Sequence, residues 1–233
     1  MFIIITLLLT LIINLKITLY MTTQIKSKQR VADHGEVFTR QEEVNAMLDL
    51  VKNETLRIES RFLEPACGNG NFLIEILRRK LEVVERQYAK SQREYEFYLV
   101  VAIGAIYGIE LQQDNVQACR ERLCKFVEQS YRLLFPETVN DEVIEVIRFI
   151  LSLNIVQGNA LKMCYVDDNN QDLPHKMLHF SEWSTVSFPR KWCLKRHDFE
   201  YQHLVFDGAE PYQSFQEYFA CYFLEIQNAK PID

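Results

Sequence analysis

The sequence predicts an α/β fold built on a mainly parallel sheet with helices on both faces. Short apolar runs closed by turn residues alternate with longer stretches of helical periodicity. Two of those runs end in a carboxylate, Glu64 and Glu110, with a helix close behind each. Strand, helix, strand, helix, strand is the pattern of parallel strands joined by crossover helices.

Taken in order, Val44, Met47, Leu48, Val51 and Leu56 recur at near-helical spacing and predict a first helix over 44–58, with Thr39 as its N-cap. Arg61-Phe62-Leu63-Glu64 reads as a short strand, closed by Pro65 and the turn residues Gly68, Asn69 and Gly70. Phe72, Leu73, Ile76, Leu77, Leu81 and Val84 mark one face of the next helix, which continues as a polar, solvated stretch over 85–96. From Phe97 a buried helix passes through Gly104 into a strand over 106–111, where Gly108 signals a close backbone approach. Asp114 or Asn115 is placed to cap the following helix, which carries Val116, Cys119, Leu123 and Val127. An amphipathic stretch over 143–153 precedes a strand over 154–157. Residues 162–174 read as a polar loop and 203–206 as a strand. Residues 214–226, with Phe215, Tyr218, Phe219, Tyr222 and Phe223, read as an amphipathic helix.

At 233 residues the chain has room for one good core, and 48% hydrophobic with 25% charged residues is the balance of a globular domain. A net charge of −6 excludes strong nucleic-acid binding by bulk charge. Local basic groups lie at 26–30, 78–80 and 190–196, the second reading as a solvated helix face. The six cysteines form no CxxC pair and the histidines no HExxH, so neither a metal site nor a disulfide framework is expected; reduced thiols fit a cytoplasmic protein. The first twenty residues are apolar except for Lys16 and are long enough for a membrane span. Met21 opens a polar stretch that reads as a natural start, so 1–20 is read first as a non-native extension and second as an anchor.

The chemistry concentrates in EPACGNGNF, Glu64 to Phe72. Gly68 and Gly70 let the backbone turn sharply and approach a ligand with no Cβ in the way. The third small residue of a dinucleotide fingerprint is replaced by Leu73, and no Gly-Lys-Ser/Thr tripeptide occurs. A carboxylate at the strand end suits a ligand that carries an ammonium and a sulfonium, which S-adenosylmethionine does. Glu110 ends the next strand, where an acid accepts from ribose hydroxyls. Its distance from the glycines exceeds the roughly 20 residues of dinucleotide folds, and the insertion over 85–104 accounts for the excess. Asn159, in NIVQGNAL, offers an acceptor and donors to an adenine edge, or reads as a turn. With Pro65, Ala66, Cys67, Phe72, Leu111 and Ala160, these residues make the candidate cofactor site.

These motifs, in this order and preceded by HGEVFTR at 34–40, resemble the adenine-N6 DNA methyltransferases of bacterial restriction-modification systems. The resemblance covers 28–161. It implies a Rossmann-like S-adenosylmethionine-dependent methyltransferase fold for 21–233, with 162–233 as its C-terminal part. In that family a GxxFTP segment closes over the methionine end of the cofactor. Gly35, Val37, Phe38 and Thr39 match it, while Arg40 replaces the proline. The family's catalytic Asn/Asp-Pro-Pro-aromatic tetrapeptide does not occur. The nearest counterpart is Ala209-Glu210-Pro211-Tyr212, where Tyr212 is placed to stack on a flipped base but Ala209 offers no side-chain acceptor. The resemblance implies DNA as substrate, with target recognition supplied by a partner such as a specificity subunit or endonuclease. A silent cofactor-binding module and a methyltransferase of another substrate remain alternatives. The aromatic, basic run over 180–199 suits contact with nucleic acid or a partner subunit; Trp183 is read as core and Trp192 stays open.

Overall fold

The computed structural model describes residues 2–4 (backbone only), 29–30, 32, 39–186, 192–206 and 214–233. Its main sheet runs in sequence order through β1 (Phe2–Ile4), β2 (Arg61–Glu64), β3 (Ile106–Glu110), β4 (Ile155–Asn159), β5 (Cys164–Val166) and β6 (Asp172–Met177). The first four strands are parallel and the last two antiparallel. Three residues of the apolar N-terminal run thus add a strand beside β2; residues 5–20 lie outside the described residues. No helix among the described residues is long and apolar enough to cross a membrane.

Between β2 and β3 lie α3 (Asn71–Tyr88) and α4 (Gln92–Gly104), and between β3 and β4 lie α5 (Gln113–Leu134) and α6 (Asp141–Asn154); α1 (Gln41–Asp49) and α2 (Lys52–Thr55) precede them. All four long helices pack on the face that carries Phe62, Ile106 and Ile155. The helix described on the opposite face is a short one, Tyr201–Phe206, whose Tyr201 and Leu204 pack on the second core cluster. The strands advance in one direction, and successive right-handed crossovers then fall on one side. The other face, Leu63, Tyr107, Ile109 and Val156, packs on Leu178, Phe180, Phe199 and Tyr201. These last belong to or adjoin the antiparallel strands β7 (His179–Thr185) and β8 (Cys193–Glu200). Tyr107 and Phe180 meet edge to face at 5.6 Å. Arg61 pairs with Glu182 at 2.6 Å, and Asn154 Oδ1 accepts the Ser181 N–H at 3.0 Å. Trp183 is buried against Gly104, whose added Cβ would lie 2.9 Å from its ring, so the core reading holds; Trp192 is half-buried against Phe97.

Several boundaries differ from expectation. The first helix starts after Arg40 rather than Thr39, because the Glu43 side chain accepts the Arg40 N–H at 3.4 Å, and it breaks at residue 50. The stretch 85–96 is not one solvated helix: α3 stops at Tyr88, and Glu96 is buried where Gln92 and the Tyr131 hydroxyl donate to it. The N-cap of α5 is Gln112, not Asp114 or Asn115; Asp114 pairs with Arg30 at 2.9 Å. The loop over 162–174 contains β5 and the start of β6. Tyr201–Phe206 is a short helix, α7, where a strand was expected, since a short apolar run carries no periodicity to separate the two. The aromatic tail forms β9 (Gln216–Glu217), β10 (Cys221–Tyr222) and a 3₁₀ turn over Phe223–Asn228, with β8 as the strands' partner.

Of the basic group at 78–80 only Arg78 is exposed; Arg79 and Lys80 are buried. Arg78 and Arg79 both grip the buried Glu75, whose carboxyl is held below the usual range by these guanidiniums against the pull of burial. Lys80 is fully buried and donates to the carbonyls of Arg57, Ile58 and Ser60 at 2.8, 2.8 and 2.6 Å. It thereby fixes the approach to β2.

Candidate functional site

Register places the ends of three neighbouring parallel strands on one sheet edge: Glu64 opposite Gly108, and Glu110 opposite Gln157, with Asn159 two residues further along β4. This is the carboxyl edge, where open α/β sheets bind their ligands. The turn leaving β2 is tied to β3 by two bonds. The Cys67 N–H donates to the Ile109 carbonyl at 2.9 Å and the Gly68 N–H to Glu110 Oε2 at 2.8 Å. Gly68 and Gly70 sit at φ 54° and 90°, the left-handed region that a side chain disfavours. At Gly70 a Cβ would lie 2.7 Å from Cys119 Sγ, so its bare Cα seats α5 against the turn.

Glu110 Oε1 accepts the Gln112 N–H at 2.9 Å, which leaves the carboxylate clasped between two backbone donors. Each oxygen retains a second lone pair for a ligand hydroxyl. Glu64 is buried at the root of the turn, where the Ala66 N–H approaches Oε1 at 3.4 Å. Cys67 packs under Gly108. The hydrogen bond its S–H makes to Cys119 and burial push the Cys67 thiol well above the usual range, so it stands there as a neutral group.

Other expected residues divide. Phe72 is buried in the helical core and Pro65 is half-buried in the turn, while Ala66 is exposed. Thr39 reaches the site through its carbonyl, which accepts from Asn71 Nδ2 at 3.1 Å. The Leu111 carbonyl accepts from Gln157 Nε2 at 3.2 Å. Asn159 uses its side chain locally: Oδ1 takes the N–H groups of Leu161 and Lys162, both at 3.1 Å, and Nδ2 donates to Asp172 at 2.9 Å. Ala160 packs on the second core cluster. Phe38 and Tyr212, with Gly35, Val37 and Ala209, lie outside the described residues.

The sequence reading missed a polar shell around Glu110. Arg122 donates to the Asn69 carbonyl at 2.6 Å and to Asn71 Oδ1 at 3.0 Å, bracing the turn from α5. Asn170, at φ 59°, accepts from Gln157 Nε2 at 3.0 Å and donates to Gln112 Oε1 at 3.3 Å. The alternation Gly-Asn-Gly-Asn at 68–71 and the turn run Asp-Asp-Asn-Asn at 167–170 were the available signals. Two buried polar atoms here, Asn69 Oδ1 and Gln112 Nε2, have no hydrogen-bond partner among the described residues.

Two cavities lie elsewhere. One of about 430 Å³ is lined by Gln41, Asn45, Glu75 and Phe126, and one of about 350 Å³ lies beside Arg61, Tyr107 and Trp183. Neither touches Glu110, Gly68 or Gly70.

An open α/β sheet with a glycine turn clasped to an acidic strand end is an arrangement that nucleotide-binding folds use. The chain matches the family model "MmeI, DNA-methyltransferase domain" over residues 37–225, and it belongs to that family. It is also 28% identical over 119 residues to a protein of Methanocaldococcus jannaschii named as a type II restriction enzyme and methyltransferase. That match covers 48% of this chain and 9% of the relative, so the chain spans a small part of the relative's length. No solved structure matches significantly.

Proposed function

We propose that this chain is the cofactor-binding domain of an adenine-N6 DNA methyltransferase of a restriction-modification system, with S-adenosylmethionine held at the carboxyl edge of β2, β3 and β4. The observation that carries the reading is the clasp of Glu110 on Gly68 and Gln112, which pre-forms an acceptor for ribose hydroxyls beside a glycine turn. The residues fit the cofactor. The orphan acceptor on Asn69 and the carboxylate of Glu64 suit its cationic methionine end, and the orphan donor on Gln112 suits an acceptor on its nucleoside. Phe38 and Thr39 would close over the methionine end, Asn159 and Ala160 would flank the base, and Tyr212 would stack on the DNA base to be methylated. When bound, the cofactor supplies an electrophilic methyl group on sulfur for transfer to an amino nitrogen.

The absence of an Asn/Asp-Pro-Pro-aromatic tetrapeptide from these residues favours target recognition, and part of catalysis, coming from a partner that also holds DNA. Isothermal titration calorimetry tests the cofactor reading. Wild type should bind S-adenosylmethionine, and Glu110→Ala should lose at least about 10-fold in affinity, as expected for two hydrogen bonds to a charged acceptor. Unchanged affinity in Glu110→Ala overturns the ribose role. Transfer of labelled methyl to plasmid DNA by the chain alone would show that no partner is needed.

A further inference from the structure

A chain of amides beside Glu110 ends in a buried donor with no hydrogen-bond partner among the described residues. The Leu111 carbonyl can only accept, so the group of Gln157 that meets it at 3.2 Å is its amide nitrogen. That nitrogen also meets Asn170 at 3.0 Å, which makes the Asn170 atom there its oxygen. The nitrogen of Asn170 then faces Gln112 at 3.3 Å, which makes that contact the Gln112 oxygen. One backbone carbonyl thus fixes three side-chain orientations in turn. It leaves Gln112 Nε2 buried with no acceptor among the described residues. A buried donor in that state bears the full loss of its hydration, and each such group calls for a reason.

We infer that Gln112 reads the purine ring of the bound nucleoside, donating Nε2–H to a ring nitrogen, and that Asn170 positions it. The inference rests on the cofactor reading above and deepens it. Chemistry selects the ring nitrogen. Glu110 offers only acceptors and so suits the ribose hydroxyls. The ring nitrogens of adenine are acceptors and need a donor. Gln112, whose own N–H is bound to Glu110 at 2.9 Å, is held immediately beside the ribose acceptor. Asn170 comes from the turn between β5 and β6, so a segment distant in sequence sets the direction of the donor.

The test uses S-adenosylhomocysteine and its 1-deaza, 3-deaza and 7-deaza forms, in which one ring nitrogen at a time becomes C–H. Calorimetric affinities should show one deaza form bound roughly 10-fold more weakly than the parent by wild type, the size expected for a buried donor left unpaired. In Gln112→Ala that difference should vanish. Gln112→Glu, which keeps the acceptor for Asn170 but cannot donate, should behave likewise and serves if the alanine variant does not fold. Asn170→Asp should bind the parent compound yet discriminate less, an effect that a purely structural role would not produce. Equal binding of all three deaza forms by wild type overturns the inference, as does discrimination that persists in both Gln112 variants. Failure of wild type to bind S-adenosylhomocysteine at all sinks the cofactor reading itself.

Discussion

The Gly68 N–H donates to the Glu110 carboxylate at 2.8 Å, joining the turn after β2 to the end of β3 across 42 residues of sequence. The same carboxylate takes the Gln112 N–H at 2.9 Å, so one side chain satisfies the turn and the start of α5 together. Glu110→Gln keeps the shape but exchanges one acceptor for a donor that faces a backbone N–H. We expect it to lower stability by about 1–2 kcal/mol, read as a lower urea midpoint with an unchanged slope.

Gly70 combines a φ of 90° with a Cβ position 2.7 Å from Cys119 Sγ. Gly70→Ala should cost at least ~1–2 kcal/mol from the left-handed backbone alone, plus the clash. Adding Cys119→Ala should relieve the clash but not the backbone strain. The double variant should therefore lose less than the sum of the single variants, while remaining below Cys119→Ala. Full additivity in denaturation would show that the two residues do not press on each other.

The strands around the site were legible because each is a short apolar run stopped by a turn residue, and Gly108 announced the close approach that Cys67 Sγ makes, 2.9 Å from its Cβ position. What escaped depends on partners distant in sequence. Glu96 looks like a surface acid until Tyr131 is packed against it. The aromatic residues 215–223 mimic a helical stripe, but their strands exist only because β8 offers an edge. Glu110 was legible at its strand end, whereas the shell of Gln112, Gln157 and Asn170 joins three segments that no local pattern connects.

Lys80 predicts a pH dependence. Burial pushes its ammonium down to about 7, with Glu54 and Glu59 pulling it up and Arg57 pushing it further down. Below that pH the group is charged in both states and the cost of burying the charge is present in full. Between about 7 and the ~10.4 of an unfolded lysine, the unfolded chain binds the extra proton and stability rises with pH. Lys80→Met should remove a slope that approaches about 1.4 kcal/mol per pH unit. The slopes of wild type and variant, from urea unfolding at pH 6 to 9.5, decide this; equal slopes contradict it.

Asp198 is buried and gathers the Ser181 hydroxyl at 2.7 Å, both Arg196 contacts at 2.8 Å and the Tyr218 hydroxyl at 3.1 Å. Asp198→Ala strands a mostly buried guanidinium and should cost about 3–5 kcal/mol. The C-terminal segment over 214–233, which rests on β8, should become the first site of limited proteolysis.

Amide chemical shifts read the central claim at its own atoms. On titrating S-adenosylmethionine into ¹⁵N-labelled protein, the resonances of Gly68 and Gln112 should move most, because their N–H groups share the carboxylate that would receive the ribose. Shifts confined to the residues around Gln41, Asn45 and Glu75, with Gly68 and Gln112 unmoved at saturation, would contradict it.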